Sequence, residues 1–264
     1  MWSHLCRWED LLVPVSRTAG RQGLALGEGW TRRWTVTWRH RNGEVTGAVA
    51  SLGQAPWVGS VPMRGFAWRR DQRHRPGLEY MVSTGRLHGF ESLEEDWLLR
   101  ALDFCGRVQI LLSQPFRMRF EANGRWRRHT PDYLVVSDNG VFVVDVPPAG
   151  LIKSEDEESF AAAHELSLVC GWRYVVAAGW SPHVQASLDA MYARRRPMSD
   201  PLNLRPGLLA AAEQGVTFRE AAMACQFWPV ARAQLLNLLW QRRLGVDLSE
   251  PLTDASRLMP AEVS

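Results

Sequence analysis

Residues 131–147 of this 264-residue chain read PDYLVVSDNGVFVVDVP, and this stretch decides the expected fold. Two runs of β-branched and aromatic residues flank Ser137-Asp138-Asn139-Gly140, a sequence typical of a tight hairpin turn. Antiparallel pairing around the turn brings the two outer ends of the hairpin together, so Asp132 and Asp145 are expected to be neighbours. Side chains alternate along a strand, so position 147 points the same way as Asp145. The stretch therefore predicts two carboxylates at one end of a β-hairpin.

Segments on both sides of this hairpin extend it to a mixed α/β core. In chain order, the predicted elements are strands over 108–112, 116–121, 125–129, 131–136 and 141–146, a helix over 154–169 and a strand over 172–177. A further helix is predicted over 91–104, because Ser92 is a good N-cap and Glu95 stands at the capping-box position. Ser154 and Glu157 form the same pattern before the later helix. This order of strands and helices is typical of the α/β class.

The chain is expected to divide into four parts. These are a β-rich lead over 1–60, the α/β core over 61–192, a linker over 193–204 and a C-terminal helical domain over 205–264. Within the lead, 34–40 and 45–50 are predicted to form a hairpin. In the last part, Thr217 and Glu220 form a capping box, and the helical runs after it have helix-turn-helix spacing with a small wing. A plain α-helical hairpin fits the same pattern, so both interpretations stay open.

The composition indicates a soluble, cytoplasmic protein without a membrane span. Apolar residues make up 46% of the chain, and no run approaches the roughly 18 consecutive apolar residues of a transmembrane helix. The N-terminus lacks the basic-then-apolar order of a signal peptide. The four cysteines form no CxxC pair, which argues against a zinc ribbon and favours reduced thiols. The net charge is +3, and Lys153 is the only lysine among 31 basic residues.

Asp132 and Asp145 are suited to holding a divalent metal. Mg²⁺ prefers carboxylate oxygens, and a metal-bound water is a nucleophile for phosphodiester hydrolysis. Two acids so placed are the layout of the PD-(D/E)xK nucleases, in which a lysine two residues after the second acid assists the reaction. Here that position is Pro147, which has no charge, proton donor or acceptor on its side chain. A hairpin with two solvated carboxylates is the alternative interpretation.

Several short segments together give a longer resemblance. They are GFESLE at 89–94, LDF at 102–104, SQPF at 113–116, RHTPDY at 128–133, VVDV at 143–146 and CGWRY at 170–174. In their order and spacing, the stretch from about Arg73 to Trp180 resembles the nuclease domain of TnsA-like endonuclease subunits of heteromeric transposases. The resemblance implies a restriction-endonuclease-like mixed sheet core with flanking helices over 61–192. It also implies a C-terminal helical, winged-helix-like domain over 205–264.

The resemblance implies roles for particular residues. Glu94, Asp132 and Asp145 match the family's metal-binding, catalytic acids and would hold Mg²⁺ or Mn²⁺. Glu91 competes with Glu94 as the helix ligand, because residues three apart lie on nearby parts of one helix face. Gln114 matches the glutamine of a Gln-Pro-Phe segment, where it would orient a ligand or bond to the backbone.

By the same resemblance, the chain is a DNA endonuclease subunit that cleaves transposon ends beside a TnsB-like DDE transposase and a TnsC-like ATPase regulator. Pro147 leaves three explanations open. The site is inactive and the chain is a DNA-binding or scaffolding subunit; or Lys153 or Arg128 supplies the missing cation; or the metal ions alone support cleavage. A restriction-like defence or repair nuclease unrelated to transposition is a further hypothesis.

Side chains just before Asp132 are additional candidates. His129 can contact a phosphate, act as a base or make a structural hydrogen bond. The run over 125–128 reads RWRR, which is suited to phosphate contact and base stacking, and equally to a solvated hairpin face.

Overall fold

Strands and short helices alternate over the first two thirds of the chain, and helices dominate the last third. The computed structural model describes residues 1–55, 57–65, 76–148 and 150–261. The strands are β1 (Thr35–His40), β2 (Gly43–Ala48), β3 (Ser60–Val61), β4 (Gly77–Met81), β5 (Arg86–Phe90), β6 (Val108–Ser113), β7 (Phe116–Ala122), β8 (Arg125–His129), β9 (Tyr133–Ser137), β10 (Gly140–Asp145), β11 (Arg173–Val176), β12 (Leu244–Gly245) and β13 (Met259–Pro260). The helices are α1 (Trp30–Arg33), α2 (Leu93–Cys105), α3 (Ser154–Val169), α4 (Val184–Tyr192), α5 (Arg205–Glu213), α6 (Phe218–Met223) and α7 (Trp228–Trp240). Short 3-10 helices lie at Trp8–Leu11, Ala19–Gly23 and Val49–Gln54.

The predicted central hairpin is confirmed as β9 and β10. The two strands pair antiparallel, with Ser137 opposite Gly140 and Tyr133 opposite Val144. β6 pairs antiparallel with the other edge of β9, and β11 pairs parallel with β10. A parallel neighbour requires a crossover connection, which α3 provides. Among the described residues, the order β11-β10-β9-β6 forms a four-stranded mixed sheet, called sheet B below.

The predicted N-terminal hairpin joins a second sheet rather than standing apart from the core. β1 pairs antiparallel with β2 on one side and with β7 on the other, where Val36 lies opposite Met118. β7 turns into β8 through Asn123-Gly124, whose φ angles of 50° and 69° suit a tight hairpin turn. In the described part of the chain, the order β2-β1-β7-β8, with β3 beside β1, is called sheet A.

One buried cluster joins sheet A, α3 and sheet B. Its larger members are Trp34, Val36, Trp38, Phe116, Met118, Phe120, Leu134, Val143, Phe160, Leu166, Tyr174 and Val176. The run Ala161-Ala162-Ala163 is fully or almost fully buried on α3. Small side chains there let the helix approach its neighbours closely, between the large buried side chains of Phe160 and Leu166.

Local capping signals set where the helices begin. The predicted Ser92 cap of α2 is confirmed, because Ser92 Oγ accepts a hydrogen bond from the Glu95 N–H at 3.1 Å. The predicted cap of α3 is one residue late: Lys153 is the N-cap, and the Asp156 carboxylate accepts its N–H at 2.9 Å. The aspartate competes successfully because it is one position nearer to the N-cap than Glu157 and has a shorter side chain.

Contacts divide the chain into two compact units. Unit 1 comprises Met1–Leu12, Arg100–Gly106 and Trp180–Ser264, and unit 2 comprises Val13–Leu99 and Arg107–Gly179. These ranges differ from the predicted domains, since most of the β-rich lead lies in the same unit as the α/β core. The segment 180–192 lies in unit 1 and includes α4. Residues 66–75, which include Arg73 at the start of the resemblance, lie outside the described residues.

Unit 1 contains the predicted helical run and a short strand pair. The Thr217–Glu220 capping box of α6 is confirmed, with the Glu220 N–H donating to Thr217 Oγ1 at 3.2 Å. α7 follows α6, and β12 then pairs antiparallel with β13. Two polar side chains in the middle of α7 accept hydrogen bonds from Arg205. Its Nε donates to Gln234 Oε1 at 2.9 Å, and its Nη2 donates to Asn237 Oδ1 at 3.0 Å. These two polar side chains of α7 are therefore structural.

The chain is thus a mixed α/β protein with several antiparallel strand pairs. None of the helices in the described part of the chain has both the length and the apolar character that a bilayer crossing requires.

Candidate active site

The β9–β10 hairpin brings Asp132 and Asp145 to one end of sheet B. Asp132 directly precedes β9, and its N–H donates to the Val144 carbonyl at 3.1 Å, which extends the ladder by one residue. Its carboxylate Oδ2 accepts the Val146 N–H at 2.7 Å. Asp145 ends β10 and is only 3% exposed. The carboxylate of Asp132 is therefore tied to the backbone that follows Asp145.

Two side chains from neighbouring strands fix Asp145. The Tyr174 hydroxyl of β11 donates to Asp145 Oδ2 at 2.5 Å, and His129 Nε2 of β8 lies 2.9 Å from the same oxygen. Burial raises the pKa of Tyr174 well above its ordinary value, and the Asp145 charge adds to this. The phenol therefore stays protonated and remains a donor. Because both partners use Oδ2, Asp145 is held in one orientation.

Helix α2 begins at this site with three glutamates in different surroundings. Glu95 is buried, and its Oε2 accepts the Glu91 N–H at 2.9 Å and lies 3.1 Å from the Tyr133 hydroxyl. Glu91 is partly exposed, and its charge acts on Asp132 together with that of Glu95. Glu94, the other predicted helix ligand, lies in the first turn of α2 and is half-buried.

The concentration of negative charge changes the ionisation of Asp132. Burial raises the pKa of Asp132 well above its ordinary value, and the charges of Asp145 and Glu95 raise it further. The hydrogen bond from the Val146 N–H opposes this rise without cancelling it. The pKa of Glu95 is also raised, mainly by burial. Carboxylates crowded in this way bind a proton or a cation more readily than isolated ones do.

Arg64 provides a cation that the sequence did not indicate. Its Nη2 lies 2.5 Å from Glu91 Oε2, and its Nε donates to Gln114 Oε1 at 2.9 Å. Gln114 is buried with a φ of 46°, and its own N–H donates to the Asp132 carbonyl at 2.6 Å. The side chain of Gln114 therefore positions Arg64, and its backbone fixes the start of β9.

The cations suggested by the sequence lie in other places. Lys153 is the exposed N-cap residue of α3, and it makes no ion pair with a described carboxylate. Arg128 is exposed on sheet A, opposite Arg119 of β7. Pro147 is half-buried and follows Asp145 by two residues, as the sequence indicates. The structure therefore brings neither predicted substitute to the carboxylates.

The donor atoms of this site are of the kind that a divalent cation prefers, but the side chains are not arranged to hold one. Within the described residues, no group of three or more His, Cys, Asp and Glu side chains is arranged to hold a metal ion. Asp132, Asp145 and Glu91 are hard oxygen donors of the type that Mg²⁺ and Mn²⁺ prefer. A bound cation would relieve the repulsion that raises the pKa of Asp132.

Sequence reasoning did not identify Arg64 or Tyr174 as part of the site, nor the direction in which the Glu95 side chain points. Arg64 and Tyr174 are distant in sequence from the acids that they serve, so no local spacing indicates them. Tyr174 could have been found from the parallel pairing of β10 with β11, which places Asp145 opposite Val176 and its neighbour two residues back on the same face. The capping box could have shown that Glu95 turns back over the start of α2.

Comparison with known proteins adds no relative: no protein-family model matches the chain, and no curated protein is significantly similar to it.

Proposed function

We propose that this chain is a metal-dependent DNA endonuclease of the TnsA-like kind, whose reaction is phosphodiester hydrolysis. The observation that supports it most directly is the position of Asp132 near Asp145, Glu95 and Glu91: burial raises the pKa of Asp132 most, and these three charges raise it further. Buried carboxylates are costly unless they are paired; Glu91 pairs with Arg64 and Asp145 with His129 and Tyr174, whereas the Asp132 carboxylate has only the Val146 N–H as a donor. Their persistence at the end of one hairpin is explained most simply by a cation that they bind.

The arrangement around the site is compatible with a restriction-endonuclease-like core. In that interpretation sheet B is the central mixed sheet, Glu91 just before α2 is the upstream acid, and α3 makes the crossover from β10 to β11. Sheet A is then an addition to the core, which needs only the four strands of sheet B. In unit 1, α5, α6 and α7 with the β12–β13 pair are compatible with a winged-helix domain.

Each residue has a defined task in this proposal. Asp132 and Asp145 bind the metal, and Glu91 is the helix ligand in place of Glu94. Tyr174 and His129 orient Asp145 through its Oδ2, leaving Oδ1 for the metal. Bound there, Mg²⁺ or Mn²⁺ supplies a water of lowered pKa and neutralises charge on the scissile phosphate.

Arg64 is the side chain best placed to act as the missing cation. Its guanidinium already spans Glu91 and Gln114, and it is 65% exposed. An arginine binds phosphate oxygens with two parallel hydrogen bonds, which suits it to stabilising charge but not to accepting a proton. The proton that leaves the attacking water would then pass to bulk solvent, because a guanidinium does not accept it.

The partners follow from the resemblance of residues 73–180 to TnsA-like subunits. They are DNA at transposon ends, a TnsB-like DDE transposase and a TnsC-like ATPase regulator, with a cytoplasmic location. A catalytically inactive DNA-binding or scaffolding subunit is the second candidate. Pro147 favours it, as does the absence of a preformed three-ligand arrangement among the described residues.

Calorimetric titration with Mn²⁺ and plasmid nicking on the same samples test the proposal. The double variant Asp132→Asn plus Asp145→Asn is expected to lose both metal binding and nicking. Glu91→Gln is expected to weaken Mn²⁺ binding by tenfold or more, as the loss of one charged ligand does, at roughly 1.4 kcal/mol per tenfold. Glu94→Gln, one helical turn away, is the matched control and is expected to bind Mn²⁺ as the wild type does.

Metal binding with no nicking, in the presence and absence of the transposase partner, would assign the scaffold function instead. No Mn²⁺ binding by the wild type would remove the endonuclease proposal altogether.

A further inference from the structure

The two faces of sheet A have opposite chemical character. Along β7 the buried apolar positions alternate with Arg117, Arg119 and Glu121, of which the two arginines are exposed and Glu121 is half-buried, and the apolar side chains enter the core. The buried side of the sheet comprises Val36, Trp38, Phe116, Met118 and Phe120. The outer side comprises Thr35, Thr37, Arg39, Glu44, Thr46, Arg117, Arg119, Glu121, Trp126 and Arg128. We call this outer side the arginine face.

Three arginines on this face have no ion-pair partner among the described acids, although the charge of Glu44, which pairs with Arg39, also acts on Arg117. Arg119 of β7 lies directly opposite Arg128 of β8, and Arg117 is two residues along β7. Among the described residues, none of the three has an acid within the 4.0 Å of an ion pair. By contrast, Arg39 on the same face pairs with Glu44 at 2.7 Å.

Stacking holds one of these guanidinium groups in place. The Arg119 guanidinium carbon lies 4.1 Å from the centre of the Trp126 ring, and Trp126 is 45% exposed. A guanidinium stacked on a ring keeps its N–H donors in its own plane, so they remain available at the edge. Trp126 thus orders Arg119 before any ligand arrives, which lowers the entropic cost of binding.

Like charges directly opposite each other destabilise a sheet, so the Arg119–Arg128 pair is unfavourable in the absence of an anion. Neighbouring strands lie about 4.8 Å apart, and residues two apart on a strand about 6.6 Å, so the Cα positions of the three arginines fall within roughly 10 Å. A polyanion with closely spaced charges can contact all three at once. Duplex DNA is such a polyanion, with one charge per roughly 1.7 Å of helix axis.

We propose that the arginine face, through Arg117, Arg119 and Arg128, binds the phosphate backbone of duplex DNA. The choice of DNA as the polyanion rests on the proposed endonuclease function, but the surface is distinct from the carboxylate site. Arg128 and His129 are consecutive on β8 and point to opposite faces, and His129 is the one that contacts Asp145. The arginine face is therefore a second contact, which holds DNA without reading its sequence.

Fluorescence anisotropy with a short labelled duplex in EDTA, over a range of salt concentrations, tests this inference. The triple variant Arg117→Gln, Arg119→Gln and Arg128→Gln is expected to bind roughly tenfold or more weakly at low salt, and to lower the slope of log K against log salt by about 2 to 3. The corresponding triple lysine variant keeps the charge and is expected to retain most of that slope.

A charge-matched control separates this face from a general loss of positive charge. Arg107→Gln, Arg219→Gln and Arg243→Gln removes three exposed arginines elsewhere and is expected to change the slope by less than half as much. Equal loss in the two triple glutamine variants, or wild-type binding by the first, overturns the inference.

The carboxylate variant keeps the two proposals distinguishable. Asp132→Asn plus Asp145→Asn is expected to bind the duplex at least as tightly as the wild type, whether or not the wild type nicks plasmid. Nicking by the wild type, together with unchanged binding by the arginine-face variant, rejects this inference alone.

Discussion

At the scale of single residues, Asp132 is notable because its surroundings are unfavourable for an ionised carboxylate. It sits half-buried among acids, and its carboxylate has one backbone donor, the Val146 N–H at 2.7 Å. Such a residue destabilises the folded state whenever it is ionised, and a protein keeps it only if another property depends on it. The unusual pKa of Asp132 is thus a trait of the folded state that can be measured without knowing the substrate.

Asp132→Asn is expected to make the protein more stable at neutral pH. The folded-state pKa of Asp132 is raised, so its contribution to stability is complete below the unfolded value of 3.8 and is lost as the pH rises through the folded pKa. Each unit of that rise corresponds to about 1.4 kcal/mol. Urea unfolding at several pH values from acidic to neutral measures this. The free energy of unfolding of the variant should rise relative to that of the wild type as the pH increases.

The exposed turn residue Asp138 gives the control. Asp138→Asn should leave the pH dependence of the free energy of unfolding as it is in the wild type. If the free energy of unfolding of Asp132→Asn changes with pH as that of the wild type does, the Asp132 carboxylate is not crowded by other acids in solution.

At the scale of elements, the 3-10 helix Ala19–Gly23 packs closely against the backbone of α3. A Cβ added at Gly20 would lie 2.4 Å from the Glu158 nitrogen and 2.5 Å from the Glu157 carbonyl carbon. Both are backbone atoms of a helix and cannot rotate away. The 3-10 helix thus approaches the first turns of α3, and Arg21 also pairs with Glu165, nearer the C-terminal end of α3, at 2.5 Å.

Gly20→Ala is expected to destabilise the protein by about 1–3 kcal/mol, because overpacking against backbone forces the two elements apart. The free energy of unfolding from urea titration measures it. Gly27→Ala is the matched control, since nothing lies within 4 Å of its added Cβ and its φ is not positive. Equal stability of the two variants would mean that the close contact with α3 is not formed.

Prediction from sequence succeeded for elements whose signals are local. The β9–β10 hairpin was indicated by its turn and by β-branched runs, and the bounds of α3 agree with the prediction at both ends. The β4–β5 hairpin was not predicted, because glycines and prolines in that segment interrupt the pattern of a strand. The pairing of β1 with β7 joins residues 78 to 84 positions apart, and no local pattern specifies such a partner.

In the candidate site, too, prediction from sequence reached only those residues that have a local sequence signal. Asp132 and Asp145 lie on one hairpin, so a local pattern sufficed. The choice among Glu91, Glu94 and Glu95 depends on where α2 starts and on how its cap turns the side chains. Arg64 depends on a contact with Gln114 across 50 residues, which spacing alone cannot indicate.

At the scale of the whole molecule, unit 1 is built from three separate pieces of chain. Arg242 joins all three. Its Nη2 donates to the carbonyls of His4 at 2.9 Å and Cys6 at 2.6 Å, and Nη1 donates to the carbonyl of Cys105 at 3.2 Å. Arg242 also has a φ of 57°, which places its side chain out of the run of α7. One guanidinium thus ties the N-terminal segment to the end of α2.

Arg242→Ala is expected to lower the free energy of unfolding of unit 1 by about 2–4 kcal/mol, since it leaves three buried or partly buried carbonyls without their charged donor. Hydrogen exchange followed by mass spectrometry should show faster exchange over the first 12 residues and over α7. The neighbouring Arg243→Ala, which is exposed, should leave that exchange pattern unchanged.

The parallel pairing of β10 with β11 has a consequence for the chain as it is synthesised. The aspartates of the hairpin leave the ribosome well before Tyr174, which must return across α3 to reach Asp145. A nascent chain, or one truncated in the crossover helix, therefore has the acidic residues but not the strand that orients them. The side-chain contact that orients Asp145 therefore forms only after translation has passed β11.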